Sequence, residues 1–194
     1  MSEHSTVAED RMFQVNQQTI RIEDGFGDDD LILDLGGGGE GVIGQLRGRQ
    51  VVAIDTRRQE LEECASGPLK VVADATDLPF LDNAFDAITA FFFLMYVPAA
   101  GRASVLREAR RVLRQGGVFH IWDAEIPPRD GRTQQLFVVP VRAELPDRTI
   151  QTGYGVRWDG SELSVDAVAQ LAQEAGFTVD KITRAGAHFQ LTLT

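Results

Sequence analysis

The chain has 194 residues, 43% apolar and 25% charged, with 29 acids against 19 bases for a net charge of −10. That length fits one domain, residues 1–194, able to bury about 70% of its unfolded surface. The acidic balance argues against nucleic-acid partners, whose binding is built on clustered Lys and Arg.

The lone Cys64 excludes an internal disulfide and fits a reducing compartment. No basic segment followed by an apolar core opens the chain at Ser2-Glu3-His4-Ser5, so no signal peptide is expected. The longest apolar run, residues 87–100, is too short to span a bilayer. A cytoplasmic protein with no membrane contact is the expectation. His4, His120 and His188 lack metal-ligand spacing, so no metal is expected.

Residues 1–12 are polar and read as loose, and residues 13–22 alternate enough to predict a short strand or hairpin. Residues 31–35 are an apolar run bounded by glycine, the pattern of a buried parallel strand. Gly36, Gly37, Gly38 and Gly39 follow, then Glu40, Gly41 and a helix from residue 42 to 46 that stops by Gly48. Glycine lets the backbone turn sharply and approach a ligand closely, so this is a strand–turn–helix nucleotide site. Residues 51–55 form a second strand, and Thr56 can cap a helix over residues 57–65 that ends at Gly67-Pro68. Residues 69–73 form the third strand, closed by Asp74 and Ala75.

The spacing Gly36-x-Gly38-x-x-Gly41, with Asp55 ending the next strand, matches a dinucleotide fingerprint. Charge separates the candidate ligands. Asp34, Glu40, Asp55 and Asp74 ring the turn, and two like charges ~4 Å apart at a dielectric of ~20 repel by roughly 4 kcal/mol. A pyrophosphate is disfavoured there, while a ligand carrying a sulfonium and an ammonium is attracted.

The segment from Asp34 to Gly41 resembles the first motif of class I S-adenosylmethionine-dependent methyltransferases, Asp-x-Gly-x-Gly-x-Gly. It departs at the third glycine, where Glu40 stands. Leu78-Pro79-Phe80 followed by Phe85-Asp86, opening a fourth strand over residues 87–91, resembles that family's next signature. The similarity continues through a helix over residues 101–115, Gly116-Gly117 and a fifth strand over residues 118–122 with Asp123 at its exit. On that helix Val105, Leu106, Ala109, Val112 and Leu113 share an apolar stripe. Arg102, Arg107, Arg110, Arg111 and Arg114 lie outside it and read as a solvated face rather than an RNA patch.

Residues 136–145 and 148–158 flank Pro146-Asp147 and predict a long β-hairpin, an insertion at 132–160 outside the family's compact core. Gly153 and Gly155 suggest bending in its second arm. It could serve as a lid, or as a homodimer contact through the apolar residues 136–139. Ser164 can cap a helix that Gly176 stops, and residues 177–183 and 188–192 predict a terminal hairpin. The resemblance implies an α/β fold: a doubly wound, Rossmann-like, seven-stranded, mostly parallel sheet in the order 3-2-1-4-5-7-6, with strand 7 antiparallel.

It also implies the cofactor S-adenosyl-L-methionine. Gly36 and Gly38 would pass under the methionine part, and Asp34 would reach its amino group. Asp55 would accept both ribose hydroxyls, since one carboxylate offers two acceptor oxygens. Asp74 would take the adenine amino group and the Ala75 N–H a ring nitrogen, with Gly37, Glu40, Thr56 and Phe91 as further cofactor contacts.

Many small-molecule members of the family carry a polar residue just past the fourth strand and a His pair soon after; here those positions hold Phe91, Met95 and Tyr96. An apolar or aromatic acceptor pocket, or catalysis by proximity alone, is therefore expected. Tyr96 and Asp123 are the catalytic candidates, with Glu125, Tyr154 and Trp158 also on the acceptor side. The leading expectation is methyl transfer to a small-molecule acceptor. The alternatives are a protein that binds the cofactor or assembles partners without catalysis, and an NAD-dependent oxidoreductase.

Overall fold

The computed structural model describes residues 11–194 apart from Asp24. The expectations for residues 1–10, including His4, lie outside the described residues. In chain order the elements are β1 (Met12–Gln14), β2 (Gln18–Arg21), β3 (Ile32–Leu35), α1 (Val42–Arg47), β4 (Val51–Asp55), α2 (Arg58–Glu63), β5 (Leu69–Val72), β6 (Phe85–Phe91), α3 (Ala99–Val112), β7 (Leu113–Ala124), β8 (Leu136–Glu144), β9 (Thr149–Arg157), α4 (Val165–Glu174), β10 (Val179–Ala185) and β11 (His188–Leu193).

Apolar residues on both faces of β3, β4 and β6 place these strands centrally: Ile32, Leu33, Leu35, Val51, Ile54, Ala87 and Ile88 are all buried. The large sheet runs β5-β4-β3-β6-β7-β11-β10. Counted along the chain as seven core strands, the order is 3-2-1-4-5-7-6. Strand β11 is antiparallel to both neighbours, and the other pairings are parallel. From β3 the sheet is extended to one side by β4 and to the other by β6. The carboxyl ends of these strands flank the crevice that such a reversal opens.

The second sheet differs from the expectation for residues 13–22. Strands β1 and β2 do not pair with each other as a hairpin. Both lie parallel along one edge of β8, whose other edge carries β9 antiparallel. Their apolar side chains account for this: Phe13 packs 4.9 Å from the Trp158 ring and 5.9 Å from Phe137, and Ile20 is buried. Of the apolar run 136–139, Phe137 and Val139 are buried within the chain, while Leu136 on the alternate face is exposed.

Three local boundaries also shift. Helix α3 begins at Ala99 and ends at Val112, because Leu113 turns extended and starts β7. Leu113 pairs with Phe85 and Val118 with Ala87, so the register slips and Gly116-Gly117 sit in a bulge rather than at a helix end. Helix α2 starts at Arg58 with no side-chain cap, and Thr56 does not cap it; the Asp55 carboxylate instead accepts from the Arg57 N–H at 2.8 Å. Ser164 caps α4 as expected, accepting from the Ala167 N–H at 3.3 Å.

Two arginines of α3 leave the solvated face predicted for them. Arg102 is buried and donates to the carbonyls of Val97 and Glu162. Arg111 binds Glu108 and Asp82 and the carbonyls of Phe80 and Leu78, fastening the Leu-Pro-Phe loop to the helix. No described helix is long and apolar enough to cross a membrane.

Candidate active site

The end of β3 and the glycine turn form the floor. At Gly36 the backbone takes φ +70°, where side chains are strained, and a Cβ would stand 2.5 Å from the Phe93 ring. At Gly38 a Cβ would stand 2.6 Å from the Glu60 Cβ and 3.0 Å from Asp55 Oδ2. The turn therefore lies against the first turn of α2 and the end of β4, and the Gly39 N–H donates to the Glu60 carbonyl at 2.9 Å.

Asp34 lies beneath this turn with 3% exposure. Its Oδ1 accepts from the Thr89 hydroxyl at 2.7 Å, and its Oδ2 is 2.7 Å from where a Gly37 Cβ would be. Burial pushes its carboxyl up to about 7, against the hydrogen bond from Thr89, which lowers it. Desolvation disfavours the charged form, and an incoming cation would restore it.

Asp55 and Asp74 each use one oxygen for their own turn. Asp55 Oδ1 accepts from the Arg57 N–H, while Asp74 Oδ1 accepts from both the N–H and the hydroxyl of Thr76 at 2.8 Å. The Thr76 bonds hold the Asp74 carboxyl below its ordinary range. Among the described residues no hydrogen bond engages either Oδ2, so each carboxylate keeps an acceptor for a ligand.

These groups share one cleft of about 960 Å³. Every residue expected to contact the cofactor lines it: Asp34, Gly36, Gly37, Gly38, Glu40, Asp55, Thr56, Asp74, Ala75 and Phe91. Sequence reasoning missed Arg57, Glu60, Phe92, Phe93, Val97 and Gly101, which line it too. None of the described residues before Asp34 lines it.

The far wall is aromatic. Phe92 sits just past β6 in a left-handed conformation, φ +49°, sparsely populated for a bulky side chain. Its ring stacks on Tyr154 of β9 at 4.6 Å and 6°. The Tyr96 hydroxyl accepts from the Gly155 N–H at 3.2 Å, and Thr152 donates to Glu40 at 2.5 Å. Burial pushes both tyrosine hydroxyls above their ordinary range. The hairpin is thus joined to the glycine turn and to the loop after β6.

Three acceptor-side expectations need correction. Asp123 is fully buried and does not line the cleft. Its Oδ2 accepts from the N–H groups of Leu94 at 2.7 Å and Met95 at 3.3 Å, capping the short turn Leu94–Tyr96 that carries Tyr96. Burial raises its carboxyl to about 7 despite these bonds. Glu125 accepts from the Val165 N–H at the start of α4. Trp158 is buried between Phe13 and Phe137, its ring N–H on the Pro127 carbonyl. His120 is half-buried, with Nδ1 3.3 Å from the Thr192 hydroxyl and its ring edge-on to Phe26.

Residues 33–121 match a family model described as a methyltransferase domain. Over that segment the chain resembles the S-adenosylmethionine-dependent methyltransferases. It is 37% identical over 125 residues to a demethylmenaquinone methyltransferase of Thermotoga maritima, covering 59% of this chain and 52% of that one. A protein of the same name from Listeria monocytogenes is 30% identical over 128 residues, covering 62% and 53%. The chain spans about half the length of these curated relatives.

Among solved structures, an S-adenosylmethionine-dependent methyltransferase from Methanosarcina mazei superposes with a TM-score of 0.63 at 19% identity over 87% of this chain and 93% of that one. One from Aquifex aeolicus gives 0.59 at 16%, over 98% and 87%. These two likenesses establish the fold.

If Asp123 is a structural cap, Asp123→Ala removes the acceptor of three backbone N–H groups, those of Leu94, Met95 and Ala124, and lowers unfolding free energy by about 1–3 kcal/mol. Urea denaturation measures this, and unchanged stability would contradict the assignment.

Proposed function

We propose that this protein is an S-adenosylmethionine-dependent methyltransferase acting on a small-molecule acceptor. The observation that carries the reading is the gathering of Asp34, Asp55 and Asp74 at consecutive strand ends around a glycine turn with no room for side chains. The donor set fits the cofactor. Asp34 would meet its ammonium, Asp55 Oδ2 its ribose hydroxyls and Asp74 Oδ2 its adenine amino group. Bound there, S-adenosylmethionine supplies an electrophilic methyl group on a sulfonium.

The chain's own contribution is to hold the acceptor in line and exclude water. Orientation of this kind supplies much of a displacement barrier, up to roughly 7–11 kcal/mol in well-aligned systems. No buried base is required of such a site, consistent with the displacement of Asp123 from the cleft. The relatives named above act, by their names, on demethylmenaquinone, which supports an acceptor that is not a macromolecule.

Calorimetric titration with S-adenosylmethionine tests the reading. Asp55→Ala should weaken binding by at least about tenfold, the equivalent of 1.4 kcal/mol; unchanged affinity would overturn the ribose assignment. Asp34 gives the titration a pH signature. Its unliganded carboxyl titrates near 7 and only the ionised form attracts an ammonium, so wild-type affinity should rise between pH 5.5 and 7.5. Asp34→Asn should bind weakly at both values, and a flat wild-type profile would contradict the Asp34–ammonium contact.

A further inference from the structure

The methionine part of S-adenosylmethionine carries a sulfonium, an ammonium and a carboxylate. The acids of the cleft suit the first two, and the carboxylate has no such partner on the floor. Five carboxylates and one guanidinium, Arg57, line the cleft, with no Lys or His. Arg57 follows Asp55, on the ribose side, and is paired with Glu60 at 2.9 Å. In the turn itself the N–H groups of Gly37, Gly39 and Gly41 donate to carbonyls of the chain. A carboxylate settling on this floor meets acids rather than cations. Resting on the functional reading above, we infer that the hairpin supplies the missing partner: the Gly153 N–H, on the free edge of β9, receives the cofactor's carboxylate.

Strand register fixes where that N–H points. Val138 pairs with Gly155 and Pro140 with Gly153, in an unbroken ladder between β8 and β9. The Trp158 N–H donates toward the β8 side, to the Gln135 carbonyl, while the Gly155 N–H goes the other way, to the Tyr96 hydroxyl. Successive residues of such a ladder direct their backbone groups to opposite edges, so Gly153 faces outward as Gly155 does. Among the described residues β9 pairs with β8 alone, and no hydrogen bond engages the Gly153 N–H. Gly153 lines the cleft, and with no Cβ there a ligand can reach the backbone.

The neighbours of Gly153 set it over the methionine end. Thr152 donates to Glu40 of the glycine turn. Burial first, and then the charges of Glu40, Tyr96 and Asp34, push the Tyr154 hydroxyl above its ordinary range, against a bond with Thr152 that lowers it. Strand β9 therefore passes close to Asp34, which would hold the ammonium. That ammonium and the carboxylate share one carbon of the cofactor, so opposite charges would meet opposite partners: Asp34 on the floor and the Gly153 N–H on the hairpin. A bond from an N–H to a carboxylate is of the stronger, charge-assisted kind.

Calorimetry with S-adenosylmethionine and with its decarboxylated form, which keeps the sulfonium and the ammonium, tests the inference. Charge alone favours the decarboxylated ligand, the more positive of the two, in an acidic cleft. A dedicated donor reverses that order, and wild-type protein should bind S-adenosylmethionine at least about tenfold more tightly. Gly153→Pro removes the N–H at an outward-facing edge position, where proline is tolerated. It should weaken S-adenosylmethionine by about tenfold and hold the decarboxylated ligand within about twofold, which also reports a folded variant. Gly153→Ala keeps the N–H, its Cβ meeting nothing closer than 3.9 Å, and should restore the preference. In wild-type protein, hydrogen exchange at the Gly153 amide should slow with S-adenosylmethionine and not with the decarboxylated ligand. Tighter wild-type binding of the decarboxylated ligand, an unchanged preference in Gly153→Pro, or equal amide exchange with both ligands would overturn the inference and leave the methyltransferase reading in place. Failure of wild-type protein to bind either ligand would instead overturn that reading.

Discussion

A carboxylate withdrawn from water organises the cleft. Asp34 ends its strand beneath the glycine turn with one oxygen on Thr89 and the other against the space that Gly37 leaves empty. A side chain at Gly37 would close that space, and a polar ligand without positive charge would leave the carboxylate uncompensated. The missing side chains of the turn and the desolvated Asp34, its carboxyl raised by burial, belong to one design, in which floor and ligand charge are matched. Asp55 and Asp74 follow the same economy of atoms, with one oxygen closing a backbone turn and the other left for a ligand.

The wall opposite the turn is assembled from distant parts of the chain. Asp123 caps the turn that carries Tyr96, Arg102 ties Val97 to Glu162, and β9 lays Tyr154 on Phe92. The hairpin is itself held by β1 and β2, whose apolar residues pack around Trp158 and Phe137. A chain of packing thus runs from Met12–Gln14 to the cleft, although no described residue before Leu31 touches it.

The parallel core was legible because buried parallel strands read as short continuous apolar runs, and glycine and aspartate punctuate their ends. The same cue misassigned Asp123. It ends its strand as Asp34 and Asp55 do, but its side chain turns inward to bond Leu94 and Met95, a contact that strand periodicity does not encode. Alternation marked residues 13–22 as extended without naming β8 as their partner. The glycines at 116 and 117 signalled a break, and the chain used it as a strand bulge. Nothing in the sequence announced the left-handed Phe92, since aromatic residues rarely adopt that conformation.

The central claim is that acids delivered by successive strand ends make a site for a positively charged adenosyl ligand rather than for a dinucleotide. Thermal unfolding with either ligand at equal concentration tests it most directly. Saturating S-adenosylmethionine, at about 100 times its dissociation constant, adds about 2.7 kcal/mol of stability and should raise Tm by about 5 °C or more. NAD should leave Tm where it was. Protection by NAD with indifference to S-adenosylmethionine would contradict the account.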